Sequence, residues 1–253
     1  MTTAAMLVIG DEILTGKVHD TNSHALARVL FSRGVRLRRV EVVPDDIDDI
    51  ARSARALSST HDHVFTSGGI GPTHDDMTYE AIAKAFGRTL TLHEPTWTRM
   101  RELAVKKHGT DDGMNAARRR MAELPAPAEV IVPEAGMWVP VVVVENVVVL
   151  PGIPVLFERL LEGIKERFSG PMIHRRLVYS WMPEGDFASG LDAIAKRFTE
   201  VAIGSYPHPG ATDHTTLVTL ESTDEPALLR ATDETRALIE GFDLPASASG
   251  TSS

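Results

Sequence analysis

The chain of 253 residues contains no cysteine. It therefore forms no disulfide, offers no thiolate ligand to a metal, and has no cysteine nucleophile. Any metal site must be built from oxygen and imidazole ligands.

Long apolar segments are also missing. The start, MTTAAMLVIG, has no basic region followed by a long apolar run, and the most apolar stretch, residues 139–150, is interrupted by Glu145 and Asn146. A secretion signal and a membrane span are therefore not expected. We expect a cytoplasmic protein with no membrane partner.

Positive charge is scarce, since 26 Lys and Arg residues stand against 35 Asp and Glu residues, a formal net charge of −9. Such a surface repels polyphosphate chains, so nucleic acid is not an expected partner. The basic run at residues 118–120 is typical of a solvated helix face. Hydrophobic residues at 43% and charged residues at 24% are typical of a folded globular chain.

Strands and helices alternate over the first two thirds of the sequence. Short apolar runs predict strands at residues 4–9, 35–43, 63–66, 137–144 and 147–150. Helical spacing predicts a helix after each of the first three strands, two more at 94–108 and 114–124, and one after the last strand. This alternation favours a doubly wound, mostly parallel α/β sheet.

The pattern changes near Pro171, where strand, helix, strand, strand and helix follow one another. This order predicts a second, smaller α+β domain. The predicted domains are residues 1–171 and 172–243. Residues 244–253 end in ASASGTSS, have nothing to bury, and are expected to be disordered.

Three loops leave the C-terminal ends of predicted strands, which is where open α/β sheets bind ligands. They read GDEILTGKVHD, SGGIGPTHDD and LPGIP. Together they provide carboxylates, glycines and a helix start, which suit a phosphate with a divalent cation. The candidate residues are Gly10, Asp11, Glu12, Asp20, Asn22, Gly68, Gly69, Gly71, Pro72, Thr73, His74, Asp75, Asp76, Pro151 and Gly152.

The glycine loop allows two interpretations. Gly68, Gly69 and Gly71 let the backbone approach a phosphate beside a helix N-terminus. The loop has neither the Walker A pattern nor GxGxxG. A tight structural turn explains the same spacing equally well.

The carboxylates are open to similar alternatives. Asp75 and Asp76 stand in the first turn of a predicted helix, where capping favours them. A carboxylate that faces a phosphate needs a cation between them, so Asp76 is also a candidate metal ligand. Asp11 and Glu12 equally suit a turn.

Asp20 and Asn22 open a predicted helix, so capping alone would explain both residues. His74 lies in the glycine loop beside two carboxylates. It is a candidate to contact a phosphate or to act as an acid, and the alternative is a solvent-exposed loop histidine.

Three segments identify a family resemblance: IGDEILTGKVHDTNSHALARVL, TSGGIGPTHDDMTYEAIAKAFG and VVVLPGIP. They resemble the molybdopterin-binding domain shared by the MoaB/Mog proteins of molybdenum-cofactor synthesis and the N-terminal half of competence/damage-inducible protein CinA. The resemblance covers about residues 4–170. The following segment, with IGSYPHPG, resembles the extension in CinA and eukaryotic FAD synthase, and GDEIL, VVPDDI, GGIGPTHDD and GSYP are most similar to the latter.

The resemblance implies a three-layer α/β fold, a homo-oligomer with contacts around residues 94–124, and a small nucleotide or pterin ligand. In the MoaB/Mog relatives, the aspartates that match Asp20 and Asp76 are implicated in the pterin and nucleotide site. Binding roles are carried over to Asp11, Asp20, Gly68, Gly69, Gly71, Asp76, Pro151 and Gly152.

The resemblance also implies an activity. Because the sequence has neither the adenylyltransferase domain of FAD synthase nor the amidase domain of CinA, we expect neither FAD synthesis nor nicotinamide mononucleotide deamidation. We expect hydrolysis of the pyrophosphate bond of FAD or ADP-ribose to release AMP, assisted by Mg²⁺, Mn²⁺ or Co²⁺. Asp76, Asp11 and Asp20 would be catalytic, with Asp76 and Asp11 on the metal. The alternatives are molybdopterin binding or adenylylation, and a non-catalytic ligand-sensing or oligomerisation module.

Overall fold

The computed structural model describes residues 2–133 and 137–244, and the chain divides into two compact units, Met1–Pro171 and Met172–Ser253. The strands of the first unit are β1 (Thr3–Ile9), β2 (Arg36–Val43), β3 (His63–Ser67), β4 (Thr89–Leu92), β5 (Glu123–Ala126), β6 (Glu129–Ile131), β7 (Val141–Val144) and β8 (Val147–Leu150). Its helices are α1 (Asp11–Leu14), α2 (Asn22–Ser32), α3 (Ile47–Ser58), α4 (Thr78–Phe86), α5 (Glu94–His108), α6 (Ala116–Arg120) and α7 (Pro154–Ile164).

A six-stranded sheet in the order β2-β1-β3-β8-β7-β6 forms the centre of this unit. The first four strands are parallel, and β7 is antiparallel to both of its neighbours. Residues 4–9 of β1 are buried throughout, because α2 packs with α7 and α3 packs with α4 to cover the two faces of the sheet. The predicted doubly wound, mostly parallel α/β fold is confirmed.

Two sequence predictions in this unit were wrong. The helix expected at 114–124 is limited to α6, because Glu123–Ala126 pairs with Thr89–Leu92 in an antiparallel ribbon that the sequence pattern did not reveal. The strand expected from Met137 begins only at Val141, and the short strand β6 beside it was not predicted. At residues 123–126, strand pairing over a long sequence separation overrides the local pattern.

The second unit contains β9 (His174–Ser180), α8 (Glu184–Arg197), β10 (Ala202–Pro207), β11 (Thr216–Ser222) and α9 (Glu225–Leu238). Its antiparallel sheet has the order β10-β11-β9, and both helices pack on the sheet. The predicted smaller α+β domain is confirmed. Its last helix ends four residues earlier than expected, because Glu240 has φ of 50° and Phe242 pairs with Tyr179.

Residues 245–253, which include most of the tail expected to be disordered, lie outside the described residues. None of the helices in the described part of the chain is long and apolar enough to span a membrane.

Candidate active site

The three candidate loops meet at one edge of the large sheet. β3 lies between β1 and β8, and Ser67 at its end pairs with Val8 on one side and with Leu150 on the other. Because the three strands are parallel, all three loops leave the sheet at the same edge. The sequence prediction that these loops would come together is therefore confirmed.

Asn22 connects the loops. It opens α2, is 5% exposed, and donates through Nδ2 to the Gly152 carbonyl and to Ser67 Oγ, both at 2.8 Å. Its Oδ1 is buried and has no hydrogen-bond donor among the described residues. A buried acceptor without a donor is unusual in a folded protein, and this one can accept from a ligand.

The glycine loop packs tightly on its own neighbours. Gly68 has φ of 111° and Gly69 has φ of 63°, and a Cβ at either position would collide with the Ile9 carbonyl or with the hydroxyl of Thr78, respectively. Thr78 also donates to both glycine carbonyls, from Oγ1 to Gly68 at 2.8 Å and from its backbone N–H to Gly69 at 2.9 Å. These two glycines are therefore required by the turn itself.

Asp76 holds the outer part of the same loop. Its carboxylate accepts hydrogen bonds from the backbone N–H groups of Gly71, at 2.5 Å, and Thr73, at 2.8 Å, and also from the Thr73 hydroxyl. The backbone at Gly71 was expected to approach a phosphate, but its N–H is directed to Asp76. The carboxylate organises the loop whether or not it also binds a metal.

A cavity of about 380 Å³ lies between the glycine loop and the start of α7. Glu12 and Asp76 both contribute carboxylates to it, while Trp138, Ile153 and Leu156 provide apolar walls. The predicted site residues that line it are Glu12, Gly68, Gly69, Gly71, Pro72, Asp76, Pro151 and Gly152. A volume of this size lies within the range of small-molecule sites.

A smaller cavity of about 40 Å³ adjoins Glu12 and Gly152 and includes Asp20 and Asn22 in its wall. Asp20 accepts from the Ser23 backbone N–H at 3.0 Å and from the Ser23 hydroxyl, so it bonds to the first turn of α2 from the position before the N-cap residue Thr21. The carboxylate therefore has a structural role and also borders a cavity wide enough for a water molecule.

Asp45 is a site residue that sequence reasoning missed. It follows β2, and its Oδ2 accepts from the Asp11 backbone N–H at 2.9 Å. Burial raises the pKa of Asp45, and the charges of Glu12, Asp11 and Asp75 raise it further, against the lowering effect of the Asp11 N–H. The PDDIDD sequence after the second strand was the available signal, because β2 ends at the same sheet edge.

The remaining candidates lie outside both cavities. Thr73, His74 and Asp75 are exposed, and the His74 side chain is 95% exposed. Gly10 lies under the Glu12 carboxylate, where a Cβ would meet its oxygens.

The predicted metal ligands are not preassembled. Asp11 lies beside Asp45, whereas Asp76 is bonded into the glycine loop. Among the described residues, no group of three or more His, Asp or Glu side chains converges in a metal-binding arrangement. The oxygen donors around Glu12 nevertheless have the chemistry that Mg²⁺ and Mn²⁺ prefer.

Comparison with protein families divides the chain at the same place as the structure. The model described as a probable molybdopterin binding domain matches residues 5–170, and the model described as FAD synthase, middle domain, matches residues 172–243.

Two curated relatives carry these names. A probable FAD synthase of Caenorhabditis elegans is 33% identical over 261 aligned positions, gaps included, and the match covers 94% of this chain and 50% of that protein. A CinA-like protein of Escherichia coli O9:H4 (strain HS) is 36% identical over 199 residues, which cover 75% of this chain and 49% of that protein. The chain thus spans about half the length of these relatives.

Among solved structures, the protein CinA of Thermoplasma acidophilum, described as of unknown function, is 33% identical with a TM-score of 0.58. The match covers 66% of this chain and 97% of that one.

Proposed function

This chain belongs to the molybdopterin-binding-domain family, of the type shared by CinA and FAD synthase, and on that premise we propose that its first unit hydrolyses the pyrophosphate bond of an adenine dinucleotide, FAD or ADP-ribose, to release AMP. The observation that carries the proposal is the 380 Å³ cavity in which two carboxylates, Glu12 and Asp76, lie with the glycine loop. A glycine loop and acidic side chains that line one cavity suit phosphoryl chemistry.

The N-termini of two helices lie by this cavity. α4 begins two residues after Asp76, and α7 begins at Pro154, directly after the cavity residues Gly152 and Ile153. The helix dipole at such positions favours a bound phosphate, and at α4 it acts without the Thr78 N–H, which is already bonded to the Gly69 carbonyl. The two ends of a pyrophosphate can therefore be held by the two loops.

The carboxylates need a cation if they are to face a pyrophosphate. Glu12 and Asp76 would hold it from inside the cavity, with Asp11 and Asp45 adjacent to Glu12. A bound divalent ion would neutralise the charge on the phosphoryl oxygens and lower the pKa of a water molecule. Because Asp76 already accepts three hydrogen bonds, the Glu12 oxygen that does not hold the ion would accept the proton from an attacking water.

The first experiment is incubation of the protein with FAD, ADP-ribose and related dinucleotides in the presence of Mg²⁺, Mn²⁺ or Co²⁺, followed by chromatography of the products. We expect AMP release that EDTA abolishes. Glu12→Gln should reduce kcat by at least about 100-fold, the usual contribution of a general base. The matched control, Glu80→Gln, removes an exposed carboxylate of α4 outside the cavity and should retain full activity.

Asp76→Asn should also abolish turnover, but it changes the loop as well. Its melting temperature is therefore needed to separate misfolding from loss of chemistry. Full activity of Glu12→Gln and of a folded Asp76→Asn would refute the assignment.

The second candidate function is molybdopterin binding or adenylylation. The description of the matching family model favours it, and the same phosphate-holding loops would serve it. Tight binding of molybdopterin without hydrolysis of any dinucleotide would select it. Ligand binding without any metal-dependent turnover would instead indicate a non-catalytic sensing or oligomerisation module.

A further inference from the structure

A second cavity, of about 510 Å³, adjoins the candidate active site. We call it the α5 groove, because Met100, Leu103, Ala104 and Lys107 line it from one face of that helix, at the spacing i, i+3, i+4 and i+7. Arg118 of α6 lies in the opposite wall.

The α5 groove and the active-site cavity share a wall. Pro72, Met121 and Trp138 line both. Pro72 belongs to the glycine loop, so the groove begins where a bound phosphate would end. A ligand with a phosphate in the glycine loop can therefore extend past Trp138 into the groove.

The chemistry of the groove differs from that of the active-site cavity. Its floor is apolar and rich in methionine, which adapts its shape to aromatic surfaces. It contains the cations Lys107 and Arg118, and no carboxylate is among the described residues that line it. In a chain of net charge −9, this local absence of acid is selective for a ligand with electron-rich oxygen atoms.

We propose that the α5 groove binds the isoalloxazine ring of FAD, so that the preferred substrate of the proposed hydrolase is FAD rather than ADP-ribose. The proposal rests on the proposed function for the position of the pyrophosphate. The volume of about 510 Å³ is large enough for a tricyclic ring beside Met100, Leu103 and Trp138, which all line the groove. The two carbonyl oxygens of the ring provide acceptors for Lys107 and for the Arg118 N–H groups that the Gly113 carbonyl does not use. ADP-ribose ends in a polar ribose without an aromatic ring, so it has no apolar surface to pack against the floor of the groove.

The test is the binding of FMN to the whole protein in the absence of metal, with the quenching of flavin fluorescence as the readout. Leu103→Asp should weaken FMN binding at least tenfold, because it places a carboxylate on the apolar floor. The matched control is Val105→Asp on the same helix, since Val105 is exposed and does not line the groove. It should bind FMN as the wild type does.

Lys107→Glu provides a second variant at the exposed rim, where folding is not at risk, and it should weaken FMN binding at least threefold. The ratio of kcat/KM for FAD to kcat/KM for ADP-ribose should also fall in both variants, and it should fall further in Leu103→Asp than in Lys107→Glu. FMN binding without any hydrolysis would support the groove assignment and refute the hydrolase. Hydrolysis of both substrates with an unchanged ratio in both variants would refute the groove and leave the hydrolase standing.

Two further outcomes would overturn the proposal. If Leu103→Asp weakens binding of AMP but not of FMN, the groove holds adenine. If the wild type binds no FMN and associates with itself in a manner that Leu103→Asp abolishes, the occupant is a second copy of the chain.

Discussion

The side-chain amide of Asn22 donates to the hydroxyl of Ser67 at 2.8 Å, inside the protein and across 45 positions of sequence. The same nitrogen donates to the Gly152 carbonyl at 2.8 Å. One side chain at the start of α2 therefore fixes the ends of β3 and β8 relative to the loop that follows β1.

Asn22→Ala should lower the free energy of unfolding by about 1–3 kcal/mol, since it removes two hydrogen bonds in a buried place. Chemical denaturation measures this change. Ser32→Ala, at the exposed end of the same helix, should change stability by less than about 0.5 kcal/mol. Equal effects of the two substitutions would show that Asn22 does not hold the loops.

Gly68→Ala and Gly16→Ala separate backbone strain from steric collision. Both glycines have positive φ, at 111° and 70°, but a Cβ on Gly68 collides with the Ile9 carbonyl whereas a Cβ on Gly16 meets nothing within 4 Å. Both variants should lose about 1–2 kcal/mol from the left-handed backbone. Gly68→Ala should lose about 1–3 kcal/mol more from overpacking. Equal melting temperatures would contradict this account of the glycine loop.

The free energy of unfolding should depend on pH through the titration of Asp45. Because its pKa is raised, mainly by burial and then by neighbouring carboxylates, the folded protein holds this proton more tightly than the unfolded chain does. Its contribution to stability therefore falls as the pH rises from the ordinary value of 3.8 through the raised pKa. Asp45→Asn should be more stable than the wild type at pH 7, and the difference should vanish below pH 3.8.

Asp62 provides the control of opposite sign for that experiment. The backbone N–H and the hydroxyl of Thr3 lower the pKa of Asp62, so its stabilising effect is present above pH 3.8 and is lost as the pH falls through the lowered pKa. Asp62→Asn should therefore be less stable than the wild type at pH 7. Denaturant unfolding at pH 3 and pH 7 compares the two variants, and effects of the same sign would refute the assignment for Asp45.

Metal binding can be measured without turnover, by calorimetric titration with Mn²⁺. We expect the double variant Glu12→Gln, Asp76→Asn to bind Mn²⁺ at least tenfold more weakly than the wild type, because it removes both carboxylates of the 380 Å³ cavity. Glu80→Gln again serves as the exposed control. Unchanged affinity in the double variant would place any metal site elsewhere.

Much of the fold could be predicted, because the hydrophobic residues in most strands and helices of the first unit follow the spacing of one type of secondary structure. The predicted strands at residues 4–9 and 147–150 agree with β1 and β8 within one residue at each end. The failure at residues 114–124 has a clear cause. The pairing of Leu124 with Thr91 depends on a partner far away in sequence, and the local spacing of hydrophobic residues does not indicate that partner.

The site was predicted in its loops and less completely in its contacts. Glu12, Gly69 and Asp76 do line one cavity. However, the oxygens of Asp76 accept hydrogen bonds from the glycine loop, and His74 is exposed to solvent. Asp45 was missed because its role depends on the β2 strand end lying beside β1. Trp138 was missed because nothing in its neighbouring sequence indicates a cavity wall.

The sequence by itself determined the parallel strands, the helices that cover them, and the three loops in which glycine and carboxylate could do chemistry, because these depend on residue type and on spacing within a few positions. Only the tertiary structure decided which carboxylates share a cavity, which N–H groups are already occupied, and that an apolar groove with two cations begins at Trp138. Those properties arise from strand order and side-chain packing, which bring together residues separated by tens of positions along the chain.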